Sequence, residues 1–182
     1  MLRSNLNGSG PENDDRSDEQ VYLSLGSNIG DRLGYLGKAV KAMQKSPGIR
    51  DIRVSPVYET EPLEMQDQPR FLNMVTGCRT PLDPEALLER LKEIEESLGR
   101  HHRQPNGPRE IDIDIIFYGQ CEMNRDNLQI PHPRFHRRKF VLVPLCDLTP
   151  EFVSPIHGMT VNELLEQCPD ESQIQQYDRI TV

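Results

Sequence analysis

Residues 107–119 read Gly107-Pro108-Arg109-Glu110-Ile111-Asp112-Ile113-Asp114-Ile115-Ile116-Phe117-Tyr118-Gly119. From Ile111 to Ile115 aliphatic and acidic residues alternate, the period of a strand with one buried face. Ile111, Ile113 and Ile115 then point to a core, and Asp112 and Asp114 share the opposite face. Same-face neighbours on a strand stand about 6.5–7 Å apart. At an effective dielectric of about 20, two carboxylates at that separation repel by roughly 2 kcal/mol. Two readings are open: an edge strand turned to water, which screens the pair, or a pair bridged by a divalent cation.

Cationic segments flank this strand on both sides. Arg100 to Arg109 holds no acid, and neither does Pro131 to Phe140, although the whole chain carries a net charge of -8. Each segment alone reads as a solvated face. Together they supply another chemistry. Arg100, Arg103, Arg109, Arg138 and Lys139 offer planar forks and point charges to phosphate oxygens. Paired aspartates offer hard oxygens to Mg²⁺, which binds through one or two carboxylates plus substrate phosphates. These are the parts of a nucleoside triphosphate site, where phosphoryl transfer depends on positioning and charge neutralisation. No Walker A sequence or protein-kinase signature set is present. His132, between two prolines, is either a packed turn residue or a donor to phosphate. The four histidines near this strand lack the spacing of a zinc site.

Candidates for a second, flat ligand are Phe71 and Phe140 as stacking rings, with core packing as the alternative for both. Asn73 lies on the same strand face as Phe71 and can donate and accept together, which suits the edge of a heteroaromatic ring. The turn Gly26-Ser27-Asn28-Ile29-Gly30-Asp31 offers backbone amides to a ligand, or is only a turn.

The remaining chain supplies the framework. Val21–Leu25 predicts a strand, and Asp31 caps a helix running to about Lys45 with Leu33, Leu36, Val40 and Met43 on one face. Ile49–Tyr58 and Phe71–Thr80 predict two further strands, separated by a polar loop long enough to be functional. Asp83-Pro84 starts a helix whose stripe of Leu87, Leu88, Leu91, Ile94 and Leu98 stops at Gly99. A turn and short strand fill 119–130, Val141–Leu148 predicts a packed helix, and Thr160-Val161-Asn162-Glu163 is a capping box. The order is β-α-β-β-α-β: an α+β fold with a ferredoxin-like sheet, helices packed on it and C-terminal additions.

A chain of 182 residues is large enough for one domain that buries roughly 70% of its unfolded surface. Residues 1–19 are polar, acidic and breaker-rich, which predicts a disordered tail before a single domain over 20–182. The acidic balance argues against a nucleic-acid binder, and no apolar run reaches the length of a membrane span. Without a signal-peptide core the expected location is cytoplasmic, where Cys78, Cys121, Cys146 and Cys168 are free thiols.

Five stretches, taken together, resemble the 6-hydroxymethyl-7,8-dihydropterin pyrophosphokinase family of folate biosynthesis. They are Leu25 to Gly30, Tyr58 to Pro62, Gln66 to Asn73, Gly107 to Asp114, and Ile130 to Pro133 with Phe140. The Gly-Pro-Arg-x-Ile-Asp-Ile-Asp block is the most specific, and the similarity runs from about Val21 to Leu165. The resemblance implies transfer of pyrophosphate from ATP, the co-substrate, to the pterin hydroxymethyl group by a monomeric enzyme. It implies two Mg²⁺ ions on Asp112 and Asp114, with Arg109, His132 and Arg138 on the phosphates and Arg100 in a closing loop. Glu95 and the Ile115 backbone would line the ATP site. Phe71, Phe140 and Asn73 would hold the pterin, with the backbone at Thr60 and Leu63 and the loop of Gly26 and Ser27. The chain departs from the family pattern at Lys92, His102 and Asn106, where a Gln, an Arg and a Trp are usual. An RNA-binding module and another metal-dependent phosphotransferase are the rival readings of such a framework.

Overall fold

The central strand is β1 (Glu19–Ser27), which begins on the last residue of the stretch read as a tail. It pairs antiparallel with β4 (Phe71–Thr80) on one side and β5 (Asp112–Tyr118) on the other. These relations come from a computed structural model, which describes residues 18–63, 67–100 and 107–182. Beyond β4 follow β3 (Pro56–Thr60) and β8 (Ile174–Arg179), while β2 (Arg50–Val54) pairs with another part of β4. The fold is thus mixed α/β around one antiparallel sheet, with a small β6–β7 hairpin (Met123–Arg125 and Leu128–Ile130) beside it.

Each sheet face carries its own core. Val21, Leu23 and Leu25 of β1 join Leu72, Met74, Ile113 and Ile115 under α1 (Arg32–Lys45) and α2 (Pro84–Ser97). Both helices start on an aspartate: Asp31 accepts from the Gly34 amide and Asp83 from the Ala86 amide, satisfying donors the helix cannot pair itself. A Cβ at Gly34 would overlap Asp31 Oδ2, so a larger residue there would make the capping carboxylate shift. On the opposite face Tyr22, Val75 and Phe117 pack with Phe135, Val141, Leu142, Leu145 and Leu164, drawn partly from α3 (Lys139–Leu148) and α4 (Val161–Glu166). That second layer covers only part of its face. The rest lines a cavity.

Three features depart from the sequence reading. The strand expected over Ile49–Tyr58 is two strands, broken at Ser55, because Pro56 has no N–H for the ladder. Ser55 repairs the gap: its amide donates to the Val75 carbonyl and its hydroxyl accepts from the Val75 amide, both at 3.0 Å. α3 begins at Lys139 and takes Phe140 into its first turn. β8 was not foreseen at all, since five of its six residues are exposed and no apolar alternation marks it. The expected tail lies outside the described residues apart from Asp18 and Glu19.

Candidate active site

The uncovered part of the sheet bears a cavity of about 270 Å³. Its floor follows from strand register. Asp112 and Asp114 of β5 stand opposite Gly26 and Ser24 of β1. Gly26 in turn faces Asn73 of β4, and Thr60 of β3 faces Phe71. A Cβ on Gly26 would lie 3.0 Å from Asn73 Oδ1 and 3.9 Å from the Phe71 ring, so glycine lets the amide keep its place without a shift. Leu63 joins from the loop after β3, and His132, Arg134, Arg138 and Phe140 come from the segment between β7 and α3 and from α3 itself.

Asp112 holds two cations. Arg109 Nη1 lies 2.7 Å from its Oδ2 and Arg100 Nη1 2.6 Å from its Oδ1. Arg100 also pairs with Glu95, whose Oε1 accepts from the Ile113 amide at 2.6 Å. Burial pushes the Glu95 carboxyl up to about 7 despite the pull of Arg100. Burial and the neighbouring Asp112 charge also raise the Asp114 pKa, against the influence of Arg138, Arg109 and Arg100. Burial thus outweighs the pull of the three arginines.

His132 Nδ1 accepts from the Arg134 amide at 3.2 Å, which puts its proton on Nε2. Burial, then Arg138 and Arg134, push its pKa down to about 4, so the ring is a neutral donor. Asn73 is buried and donates through Nδ2 to Thr60 Oγ1 at 2.8 Å, which fixes its amide plane. Phe71 and Phe140 are half-buried on the cavity wall rather than in either core centre. Each carries a guanidinium over its ring, Arg109 on Phe71 and Arg138 on Phe140, both 5.5 Å from the centroid.

The turn after β1 acts as a bracket. Asn28 accepts from the Arg109 amide at 2.8 Å and donates its own amide to the Arg109 carbonyl at 3.1 Å. Its side chain also donates to Gln68 and to the Pro69 carbonyl, tying the Arg109 lead-in to the loop after β3.

Twelve of the residues singled out in the sequence line this cavity: Gly26, Thr60, Leu63, Phe71, Asn73, Arg100, Arg109, Asp112, Asp114, His132, Arg138 and Phe140. Ser27, Glu95, Ile115 and Lys139 do not. Glu95 stands behind Asp112 and reaches the site through Arg100. Ile115 lines a second cavity of about 250 Å³ with Leu88, Ile113 and Leu128. Asp114 and His132 line both cavities, so the two adjoin there. His102, Arg103 and Asn106 lie outside the described residues. Ser24, Glu61, Gln68 and Arg134 line the first cavity unforeseen. Ser24 was within reach of the period-two rule, two residues before Gly26 on the same strand face.

The donor chemistry fits Mg²⁺. Asp112 and Asp114 present hard oxygens, and burial disfavours the Asp114 charge, which a cation would stabilise. No cluster of three or more His, Cys, Asp or Glu exists among the described residues, and Mg²⁺ bound together with phosphates needs none. The described cysteines are free thiols, and no described helix is long and apolar enough to cross a membrane.

The family model for 7,8-dihydro-6-hydroxymethylpterin-pyrophosphokinase (HPPK) matches residues 22–150. The 2-amino-4-hydroxy-6-hydroxymethyldihydropteridine pyrophosphokinase of Bacillus subtilis is 42% identical over 70% of this chain and 77% of its own length. The folic acid synthesis protein fol1 of Pneumocystis carinii is 43% identical over 84% of this chain, which spans only 20% of that longer protein. Among solved structures, wild-type HPPK-DHPS of Plasmodium falciparum superposes with a TM-score of 0.67 at 16% identity, over 83% of this chain and 44% of that one. That last likeness concerns the fold alone.

Proposed function

The chain belongs to the 7,8-dihydro-6-hydroxymethylpterin-pyrophosphokinase family, and from that membership we infer that it transfers pyrophosphate from ATP to the hydroxymethyl group of 6-hydroxymethyl-7,8-dihydropterin, releasing AMP. The observation that carries the reading is one cavity lined at once by an acidic pair, four arginines, two aromatic rings and a pinned amide. Few reactions need all of these together.

In this reading the pterin lies along Phe71 and Phe140, and Asn73 pairs with its edge. Thr60 fixes the Asn73 amide so that it offers one defined donor–acceptor pattern. Gly26 keeps the floor thin, and Leu63 closes the outer side. Arg109, Arg138 and neutral His132 bind the triphosphate, with Arg100 released from Asp112 to join them. Ile115 and its cavity receive the nucleoside, and Glu95 holds the strand that presents the acids. Asp112 and Asp114 would hold two Mg²⁺ ions, which when bound neutralise the triphosphate and make the substrate hydroxyl more acidic. The hydroxyl oxygen forms a bond to the β-phosphorus in line with the bond that breaks, and AMP departs with the bridging oxygen. Asn28 sets the Arg109 backbone, so the cation waits where charge develops.

The same reading takes the sheet as a ferredoxin-like βαββαβ framework, supported by the order β5-β1-β4-β3 with β2 and β3 sharing one strand position. It takes residues 20–182 as one domain after a tail, and the enzyme as monomeric and cytoplasmic, in keeping with its free thiols. The test is product identity. Incubation with ATP, Mg²⁺ and hydroxymethyldihydropterin yields AMP and a pterin diphosphate; ADP, or no turnover, contradicts the assignment.

A further inference from the structure

Tyr58 is half-buried on β3, next to the cavity residue Asn73. It alternates onto the same face of β3 as Thr60 and pairs in register with Asn73. Its hydroxyl donates a 2.7 Å hydrogen bond to Asp147 Oδ2 in the last turn of α3. Asp147 follows Phe140 by seven residues on that helix, about two turns, so both fall on one stripe roughly 10 Å apart. Between them Pro144 has no N–H for the Phe140 carbonyl four residues earlier. The turn that carries Phe140 is therefore held less by the helix ladder and more by how α3 is seated on the sheet. Val141, Leu142 and Leu145 bury the helix, and at its N-terminal end the Lys139 amide donates to Asp170 Oδ2 at 2.8 Å. Apolar contacts are non-directional, so a second directional bond, at the far end, fixes the roll and tilt of the helix.

We propose that Tyr58 and Asp147 are positioning residues that seat α3 so that Phe140 keeps its place against the flat ring of the pterin substrate. This rests on the reading of Phe140 as a wall of the pterin site. Burial and the Asp147 carboxylate push the Tyr58 hydroxyl up to about 12, so its donating proton stays in place across the working pH range.

Steady-state kinetics of the full chain, with each substrate varied in turn, test the pair through Tyr58→Phe, Asp147→Ala and Asp147→Asn. Tyr58→Phe and Asp147→Ala raise the pterin KM about fivefold, and the ATP KM and melting temperature stay near wild type. Asp147→Asn keeps an accepting oxygen and stays within about twofold of wild type. An unchanged pterin KM in both disruptive variants overturns the proposal. So does an equal rise in both KM values, or a loss that follows melting temperature, since either marks a merely structural bond. Absence of pterin turnover in the wild type defeats the functional reading instead. Hydrogen exchange then decides the seating of α3 alone: faster exchange at residues 140–142 in Tyr58→Phe supports it, and unchanged exchange overturns it.

Discussion

The Arg109 guanidinium donates to Asp112 Oδ2 across 2.7 Å while its Cζ lies 5.5 Å from the centre of the Phe71 ring. One cation thus touches both the acid of the proposed metal site and an aromatic of the proposed pterin site. Arg100 holds the other oxygen of Asp112 at 2.6 Å. Before substrate arrives, these arginines and Asp112 neutralise one another. On the proposed function, binding a metal triphosphate would exchange the partners: Asp112 would turn to the metal and the arginines to phosphate oxygens, with no buried charge left alone.

The two acids are consequently not equivalent. Asp112→Asn and Asp114→Asn both lower kcat by at least about 100-fold at saturating Mg²⁺. They differ in stability. Asp112→Asn takes the carboxylate from Arg109 and leaves Arg100 with Glu95 alone, which lowers the melting temperature, whereas Asp114→Asn removes a carboxylate whose charge burial disfavours and leaves it equal or higher. Calorimetry beside the activity assay checks both. Near-wild-type turnover in either variant contradicts the metal assignment.

Phe140→Ala weakens pterin binding by tenfold or so and ATP binding by less than about twofold, measured by titration. Equal losses for both ligands would mean that the ring only supports the core.

Gly26→Ala is a finer probe of the cavity floor. The added methyl sits 3.0 Å from Asn73 Oδ1, so the amide must shift by a few tenths of an ångström. The chain folds, the pterin KM rises about tenfold, and the ATP KM holds. An unchanged pterin KM would remove Asn73 from the recognition of the ring edge.

Glu95 gives the pH dependence. Its carboxyl moves from an ordinary 4.5 to about 7 in the folded chain, chiefly through burial. A group that binds its proton more tightly when folded adds stability below the unfolded value, and that stability is lost as pH rises through the folded value. The melting temperature of the wild type therefore falls relative to Glu95→Gln between about pH 4.5 and pH 7. Parallel curves for the two proteins would contradict this.

The acids were legible because β5 alternates at period two, and register alone then brings Gly26, Ser24, Asn73 and Asp112 to one face. α1 and α2 were legible from their caps and stripes. The twofold position of Phe140 was not: only the three-dimensional seating of α3 separates a helix ring at a cavity from one in a core. β8 escaped because an exposed edge strand needs no apolar alternation, and its pairing with β3 is settled by backbone hydrogen bonds. The helix pattern alone does not mark Glu95, which only the family resemblance singled out; it is buried behind Asp112 and bonded to the Ile113 amide. Charge patterning found the cluster from Pro131 to Phe140, yet could not say that Arg134 also reaches the cavity.

The most direct measurement follows the phosphorus. ATP labelled with ³²P at the β position is incubated with Mg²⁺, the chain and hydroxymethyldihydropterin, and the products are separated. The account predicts that the label leaves the nucleotide entirely, appearing in the pterin diphosphate in amounts equal to the unlabelled AMP formed. Label retained in ADP would contradict pyrophosphoryl transfer, whatever the family resemblance.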